Sequence, residues 1–218
     1  MRHSDRVVVI GGGASGTLAA VHLLRRGGPG LAVAIVEPRP MLGHGVAFGT
    51  PDPWHRLNVP AITMTGLPDE PDHFRAFAGC TPAAFPARHV FGEYLGSLLA
   101  ETRAASPAMV THVRARALRV RDGRAGEGAP LVVEVVGTAA TTLPADAVVI
   151  ASGNELPRPP AFAEAVAAAG DPRFVRDPWA PGALGGISPG TTVGIIGTGH
   201  TAIDLAASLI LGSGVARV

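Results

Sequence analysis

The chain has 218 residues, and its 18 basic and 17 acidic side chains give a formal net charge of +1. This length suits one large domain, or one and a half smaller ones, with enough residues to bury a core. The near-neutral charge gives no reason to expect nucleic acid as a partner. The only cysteine is Cys80, which excludes an intrachain disulfide, a zinc site built on several cysteines and the cysteine pair of a disulfide reductase.

The sequence also argues against a membrane as a partner. No apolar run reaches the ~20 residues that span a bilayer. The first residues look like a secretory signal, with Arg2 and Arg6 beside an apolar stretch, but the glycines at 11–16 interrupt that stretch. We therefore expect a cytoplasmic protein.

The first predicted strand, residues 7–10, is followed by a glycine-rich turn and a helix. Its β-branched residues are typical of a buried parallel strand. In a dinucleotide-binding turn, Gly11 lets the chain leave the strand sharply, Gly13 lets the backbone approach a pyrophosphate, and Gly16 lets the helix pack on the sheet. The free N–H groups at the helix N-terminus bind the anion. The pattern predicts a dinucleotide-binding βαβ unit.

An acidic residue stands where such a unit needs one. The second predicted strand, Leu31–Val36, is followed by Glu37, which lies 21 residues after Gly16. A carboxylate at this distance accepts hydrogen bonds from the ribose hydroxyl groups of the dinucleotide. The alternative is a glycine-rich turn in another kind of α/β protein. It explains neither the strand and helix around the turn nor the position of Glu37.

The middle of the chain changes its hydrophobic period. Residues 38–88 are rich in proline and glycine and predict a long loop-rich insertion. Apolar residues at i, i+3, i+4 and i+7 predict a helix over 90–104, and alternating residues predict an antiparallel meander over 111–143. A buried-type strand follows at 147–150. Together these segments predict a first domain over 1–157.

A second glycine turn lies near the end of the chain. A linker rich in proline and glycine is expected over 158–190, followed by a strand at 192–196 and a helix. The three glycine positions of the motif are filled by Gly197, Gly199 and, as an accepted variant, Ala202. Residues 191–218 therefore predict a second dinucleotide-binding unit, cut off one strand short. We expect the chain to be the N-terminal fragment of a longer protein whose C-terminal region is missing.

Two such turns about 185 residues apart, with a meander between them, resemble those of flavoproteins that have two dinucleotide-binding domains. The chain is similar to the bacterial YdhS-like FAD/NAD(P)-binding family, whose relatives include flavin-dependent hydroxylases such as urate hydroxylase. The resemblance implies an α/β Rossmann-like FAD-binding fold, in which a parallel βαβ sheet and an antiparallel meander precede an NAD(P)-binding unit. The segments that carry it are 11–16, 37–40, 43–48, 58–60, 67–69, 72–74, 92–95, 151–153 and 197–204.

The resemblance also implies FAD on the first unit, NAD(P)H on the second, and a small-molecule substrate. In such proteins NAD(P)H reduces the flavin, which passes electrons to O₂ or another acceptor. The residues that it assigns to FAD are Gly11, Gly13, Ala14, Ser15 and Gly16 at the pyrophosphate, Glu37 and the adjoining Pro38 at the adenosine ribose, Val113 at the adenine, His44 and Asn58 at the isoalloxazine, and Ser152 and Gly153 closing over the pyrophosphate. Those that it assigns to NAD(P)H are Gly197, Gly199 and Ala202.

No side chain can be named as catalytic from the sequence. The histidines are scattered without the spacing of a metal site, so no metal is expected. His44 is the histidine to test, because its loop is expected to face the flavin. Three functions stay open: an FAD-dependent, NAD(P)H-using oxidoreductase that hydroxylates a small molecule, an FAD-dependent dehydrogenase without O₂ chemistry, and a non-catalytic dinucleotide-binding module.

Overall fold

A computed structural model describes residues 5–156, 158–215 and 217–218 of the chain. The chain divides into two compact units. The first comprises Met1–Pro51 and Val59–Gly153, and the second comprises Asp52–Asn58 and Asn154–Val218. Within the part of the chain that the structure describes, no helix is both long and apolar enough to cross a membrane.

The main elements of the first unit alternate between strands and helices before a run of strands. In chain order they are β1 (Asp5–Ile10), α1 (Ala14–Arg26), β2 (Leu31–Val36), α2 (His73–Ala78), α3 (Arg88–Ala105), β3 (Met109–Val113), β4 (Arg116–Asp122), β5 (Leu131–Val136), β6 (Thr142–Ala145) and β7 (Ala147–Ile150). The second unit contains α4 (Glu164–Ala168) and α5 (His200–Ala207).

Four parallel strands form the centre of the first unit, in the order β3, β2, β1, β7. Val8 of β1 pairs with Ala34 of β2 on one side and with Val148 of β7 on the other. Val8 and its neighbour Val9 are both buried although their side chains point to opposite faces, so both faces of the sheet are covered. The predicted parallel βαβ sheet is confirmed.

Two helices of this unit pack against each other. Helix α3, expected over 90–104, spans Arg88–Ala105 and buries its predicted apolar face. It contacts α1, whose own buried residues include Val21 and Leu24. Gly27 ends α1, and its N–H donates to the carbonyl oxygen of Leu23 at 2.8 Å. The C-terminal turn of α1 carries Arg25 and Arg26, whose charges favour that end of the helix dipole.

Three antiparallel strands, in the order β4, β5, β6, form a second sheet in the same unit. This sheet shares a hydrophobic core with the parallel sheet, in which Val8 and Val36 meet Val133 and Val135. The antiparallel meander is thereby confirmed. Its predicted start at residue 111 is wrong, because β3 pairs in parallel with β2 and the meander begins with β4.

The physical reason for this error is a short break between β3 and β4. The alternation of apolar residues with arginine continues through Arg114 and Ala115, where the N–H of Ala115 donates to the carbonyl of Val113 at 2.8 Å. An alternating pattern indicates a strand but does not indicate which strand it pairs with. The prediction from the sequence therefore merged β3 and β4, which belong to different sheets.

The second unit is mainly helical and irregular. Helix α5 continues into a π-helical turn over Ser208–Gly212. Residues 192–196, predicted as a strand, form a single parallel bridge, Thr192 with Arg217, in which the N–H of Val193 donates to the carbonyl of Arg217 at 3.0 Å. A regular strand needs a ladder of such bonds along a neighbour, and the described residues of this unit provide only this bridge.

Candidate dinucleotide-binding site

The turn between β1 and α1 is built from backbone contacts that only glycine allows. Gly11 has a φ of +104°, and a Cβ atom on it would lie 2.2 Å from the carbonyl oxygen of Ala151, just after β7. A Cβ atom on Gly16 would lie 1.8 Å from the carbonyl oxygen of Gly11. Both distances are far below van der Waals contact, so β1, α1 and the end of β7 meet without intervening side chains.

The N-terminus of α1 is open to a ligand. Its N-cap is Gly13, no side chain caps the helix, and no acidic residue lies in its first turn. The first N–H groups of a helix have no partner inside the helix and carry a partial positive charge. Ala14 and Ser15 begin the helix at this end, so the structure brings together all five residues expected at a pyrophosphate.

Glu37 follows β2 directly and is 3% exposed. Its carboxylate accepts hydrogen bonds from the N–H of Gly12 at 2.9 Å, the N–H of Arg39 at 3.0 Å, and Nε and Nη2 of Arg39 at 2.8 and 3.0 Å. Burial alone would raise the pKa of Glu37. The hydrogen bonds from Arg39 and Gly12, together with the positive charge of Arg39, outweigh it and lower the pKa to about 2. Glu37 is therefore ionised at neutral pH.

The ends of the neighbouring strands complete this edge of the sheet. The N–H of Glu37 donates to the carbonyl of Val113 at 3.1 Å, and Nε2 of His112 lies 2.9 Å from the carbonyl oxygen of Glu37. Ser152 and Gly153 follow β7 and are exposed, and Gly153 has a φ of +78°. Because carboxyl ends of parallel strands meet at one edge, Glu37 and Val113 lie side by side. Pro38 is exposed next to them.

A buried threonine connects the glycine turn with the loop after β2. Oγ1 of Thr17 donates to the carbonyl of Gly12 at 3.1 Å and accepts the N–H of Gly43 at 2.9 Å. The same N–H of Gly43 lies 2.8 Å from the carbonyl oxygen of Gly12. The loop is thus fixed to the turn by a polar network that the sequence motif does not contain.

His44 lies in this loop, and its ring contacts protein. Nδ1 of His44 is 3.1 Å from the carbonyl oxygen of Leu42. A Cβ atom on Gly92 of α3 would lie 3.0 Å from Cδ2 of His44, so the ring packs against the backbone of that helix. The carbonyl of His44 accepts a hydrogen bond from Nη1 of Arg39 at 2.9 Å. A role beside the isoalloxazine stays a prediction for His44.

In the second unit, the glycine turn again precedes an uncapped helix. Gly197 has a φ of +121°, and Gly199 is the N-cap of α5 without a side-chain capping bond. The N–H of Ala202 donates to the carbonyl of Gly199 at 2.9 Å. The three residues predicted for NAD(P)H therefore lie together at one helix N-terminus. Asn58, predicted for the isoalloxazine, is an exposed residue of this unit.

A polar cluster in the second unit was not predicted from the sequence. Nε2 of His55 lies 2.7 Å from Oγ of Ser208, and that hydroxyl donates to the carboxylate of Asp52. The ring of His55 meets Trp179 edge to face, with 5.3 Å between ring centroids. Ser208 lies 153 positions after His55 and 156 after Asp52, and the cluster belongs to no recognisable motif, so no local signal could have found it. The described residues contain no group of three or more His, Cys, Asp or Glu side chains placed to hold a metal ion.

Replacing Thr17 with valine is expected to lower the free energy of unfolding by about 1 to 2 kcal/mol, because valine keeps the shape but loses two buried hydrogen bonds. The matched control is Thr102→Val on α3, where the half-buried hydroxyl donates to the carbonyl of Leu98, and its expected change is within about 0.5 kcal/mol. Urea unfolding followed by circular dichroism measures both. Equal effects at the two positions would contradict a special role for the Thr17 network.

Comparison with known proteins fits this geometry. The sequence profile of a family described as FAD-NAD(P)-binding matches residues 8–155, more than half of the chain. The chain belongs to this family. FAD and NAD(P)H are accordingly its cofactors. Among curated protein sequences, none matches the chain significantly.

The family's fold recurs in solved structures of low sequence identity. One is the lysine monooxygenase NbtG from Nocardia farcinica, at 21% identity and a TM-score of 0.56, covering 95% of this chain and 55% of that chain. Another is the reduced form of the ornithine hydroxylase PvdA from Pseudomonas aeruginosa, at 16% identity and a TM-score of 0.58, covering 97% of this chain and 53% of that chain. The chain thus spans just over half the length of either protein.

The residues of the first unit fit the FAD that the family binds. An uncapped helix N-terminus suits a pyrophosphate. The ionised carboxylate of Glu37 is the type of acceptor that ribose hydroxyl groups need, and in this structure its oxygens accept from Gly12 and Arg39. Gly13 has no side chain, and Gly45 packs against it, with its Cα 3.3 Å from the position that a Cβ on Gly13 would take. Charge, donors and glycine positions all agree with a dinucleotide at this edge.

Proposed function

We propose that the chain is the FAD- and NAD(P)H-binding part of an oxidoreductase that hydroxylates a small molecule. The observation that carries this proposal is the ionised, buried Glu37 beside the uncapped N-terminus of α1. Hydroxylation is proposed because two solved proteins with this fold are named a lysine monooxygenase and an ornithine hydroxylase. The substrate proposed here is a small molecule of unspecified class.

Each part of the site has a physical task in this proposal. The N–H groups at the start of α1 would bind the pyrophosphate of FAD and offset its charge. Glu37 would accept the ribose hydroxyl groups, and the backbone of Val113 would meet the adenine. The loop at 43–48 would line the isoalloxazine. When bound, the flavin takes electrons from NAD(P)H and delivers them to an acceptor such as O₂.

The second unit has a separate proposed task. Residues 191–218 would contribute the start of the NAD(P)-binding domain, and 158–190 would link it to the FAD-binding domain over 1–157. The uncapped N-terminus of α5 behind Gly197 and Gly199 supports this assignment. As in the first unit, a glycine turn leads into a helix without a side-chain cap, and such a helix N-terminus suits a second pyrophosphate.

The first test is the absorbance spectrum of the purified chain, before and after acid releases any cofactor. We expect flavin bands at nearly stoichiometric occupancy, or their appearance after FAD is added. Glu127→Gln, at a part-buried ion pair with Arg121 outside the glycine turn, serves as a control variant that should keep the same flavin content. A folded chain that holds no flavin and takes up none would contradict the proposal.

Three further measurements on the flavin-loaded protein separate the open functions. A hydroxylase consumes NAD(P)H faster in the presence of its substrate and yields a product that has gained oxygen. A dehydrogenase reduces an artificial acceptor under nitrogen when its substrate is added. A non-catalytic module holds flavin that neither NADH nor NADPH reduces, and that result would overturn the oxidoreductase proposal.

A further inference from the structure

Both oxygens of the Glu37 carboxylate already have their donors in this structure. Oε1 accepts from the N–H and Nε of Arg39, and Oε2 accepts from the N–H of Gly12 and Nη2 of Arg39, all at 2.8 to 3.0 Å. A carboxylate offers about four lone-pair sites. All of them are taken, so a ribose hydroxyl can bond to Glu37 only if one of these donors leaves.

Only the guanidinium of Arg39 can leave the carboxylate without movement of the main chain. Two of the four bonds come from backbone N–H groups, of Gly12 and Arg39, which are fixed by the turn and by the chain after β2. The other two come from the guanidinium of Arg39, whose side chain is 46% exposed while that of Glu37 is 4% exposed. Water can solvate a displaced guanidinium, so Arg39 is the donor that a ribose would replace.

The same guanidinium also holds the loop after β2. Nη1 of Arg39 donates to the carbonyl of His44 at 2.9 Å. Beyond that point the loop turns on itself, with the N–H groups of Phe48 and Gly49 donating to the carbonyl of Gly45 at 3.1 and 2.6 Å. One side chain therefore connects the carboxylate proposed for ribose to the loop proposed for the isoalloxazine.

We propose that Arg39 is a positioning residue that orients Glu37 and fixes residues 44–49 until the adenosine ribose of FAD displaces its guanidinium. Adenosine binding then releases the carbonyl of His44 and loosens the loop before the isoalloxazine is seated. The proposal rests on the proposed assignment of Glu37 to the ribose. It also explains why one guanidinium bonds both to the carboxylate of Glu37 and to the carbonyl of His44.

The test compares the unchanged chain with Arg39→Met, which keeps an unbranched side chain but has no donors. ADP is the probe, because it carries the ribose and the pyrophosphate without the flavin. At about pH 8, where Glu37 stays ionised, R39M should bind ADP roughly tenfold more tightly in titration calorimetry, because no charge-assisted hydrogen bonds have to be broken. Arg75→Met removes a more exposed ion pair, with Asp72 at the start of α2, and should leave the ADP affinity unchanged.

Hydrogen exchange gives a second readout that does not depend on activity. Without ligand, residues 44–49 should exchange faster in R39M than in the unchanged chain, because the bond to the His44 carbonyl is lost. With saturating ADP the difference should disappear, because the guanidinium is displaced in the unchanged chain as well. A difference that persists with ADP would overturn the proposal.

Arg39→Lys keeps the test decisive if R39M does not fold. Lysine keeps the positive charge but replaces the planar fork by a single ammonium group, so ADP should bind roughly threefold more tightly than to the unchanged chain. If the folded variants bind ADP as tightly as the unchanged chain or more weakly, the proposed displacement of Arg39 is wrong, while the proposed function is not affected. Failure of the unchanged folded chain to bind ADP would instead contradict the proposed function.

Discussion

Replacing Gly16 with alanine is expected to lower the free energy of unfolding by about 3 kcal/mol or more and to abolish FAD binding. The added Cβ would lie 1.8 Å from the carbonyl oxygen of Gly11 and 3.3 Å from Cγ1 of Val9. The oxygen belongs to the backbone of the turn, so relief requires α1 to move away from the sheet. Overpacking of a rigid contact costs about 1 to 3 kcal/mol and sometimes more.

Gly96→Ala on α3 is the matched control for this prediction. A Cβ on Gly96 would lie 3.4 Å from the carbonyl oxygen of Leu42, which is ordinary van der Waals contact. Alanine also has the higher helix propensity, so Gly96→Ala should leave stability unchanged or raise it by up to about 1 kcal/mol. Urea unfolding and a fluorescence titration with FAD measure both effects. Similar losses at the two positions would contradict close packing of α1 on the turn.

The second large effect is expected at Glu37. Glu37→Gln should lower the free energy of unfolding by about 3 kcal/mol at neutral pH, because four donors would face an amide that accepts through only one oxygen. The NH₂ group of the glutamine would face the guanidinium of Arg39 or the N–H of Gly12, so that two donors would meet without an acceptor between them. The lost ion pair adds to the effect, since Glu37 is 3% exposed and water cannot replace its partners.

The pH dependence of stability gives a sharper test of the same residue. The pKa of Glu37 is lowered from 4.5 to about 2, so the folded state binds its proton more weakly than the unfolded state. Its stabilisation is complete above the unfolded pKa and is lost as the pH falls from about 5 toward 2, amounting to about 3 kcal/mol in total. The unchanged chain should therefore lose more stability than Glu37→Gln between about pH 6 and 3.

Glu101→Gln supplies the comparison for that measurement. Glu101 is an exposed carboxylate on α3 that accepts a hydrogen bond from the hydroxyl of Ser97, so this variant should keep the acid sensitivity of the unchanged chain. Urea unfolding at several pH values separates the three proteins. Parallel stability curves for the unchanged chain and Glu37→Gln would show that Glu37 titrates normally.

The sequence predicts those parts of the site whose causes are local. The β-branched run of β1, the spacing of Gly11, Gly13 and Gly16, and the acid after β2 lie within one βαβ unit, and each has a direct backbone reason. The structure places them as expected. The same holds for the apolar face of α3, which has the period of a helix.

The residues that the sequence could not reveal act over longer distances. Thr17 bonds to the N–H of Gly43, 26 positions away, and no spacing rule links a threonine in a helix to a glycine in a loop. Arg39 lies two residues after Glu37, but its position in the sequence does not indicate that its guanidinium also donates to the carbonyl of His44. Such contacts depend on how the loop folds back, which is a tertiary property.

The hydrophobic core that the two sheets share has a consequence for the evolution and engineering of this chain. Val8 and Val36, in the strands that lead to Gly11 and Glu37, are shielded from water by Val133, Val135 and neighbouring residues of the meander. Deleting the meander would therefore expose this apolar core to water, so we expect the first unit to need this small sheet for its stability. Sequence change can accumulate instead at the exposed Ala125 of its outer tip. The adjoining Gly126 and Gly128 have φ of +92° and +64°, at which any other side chain is strained.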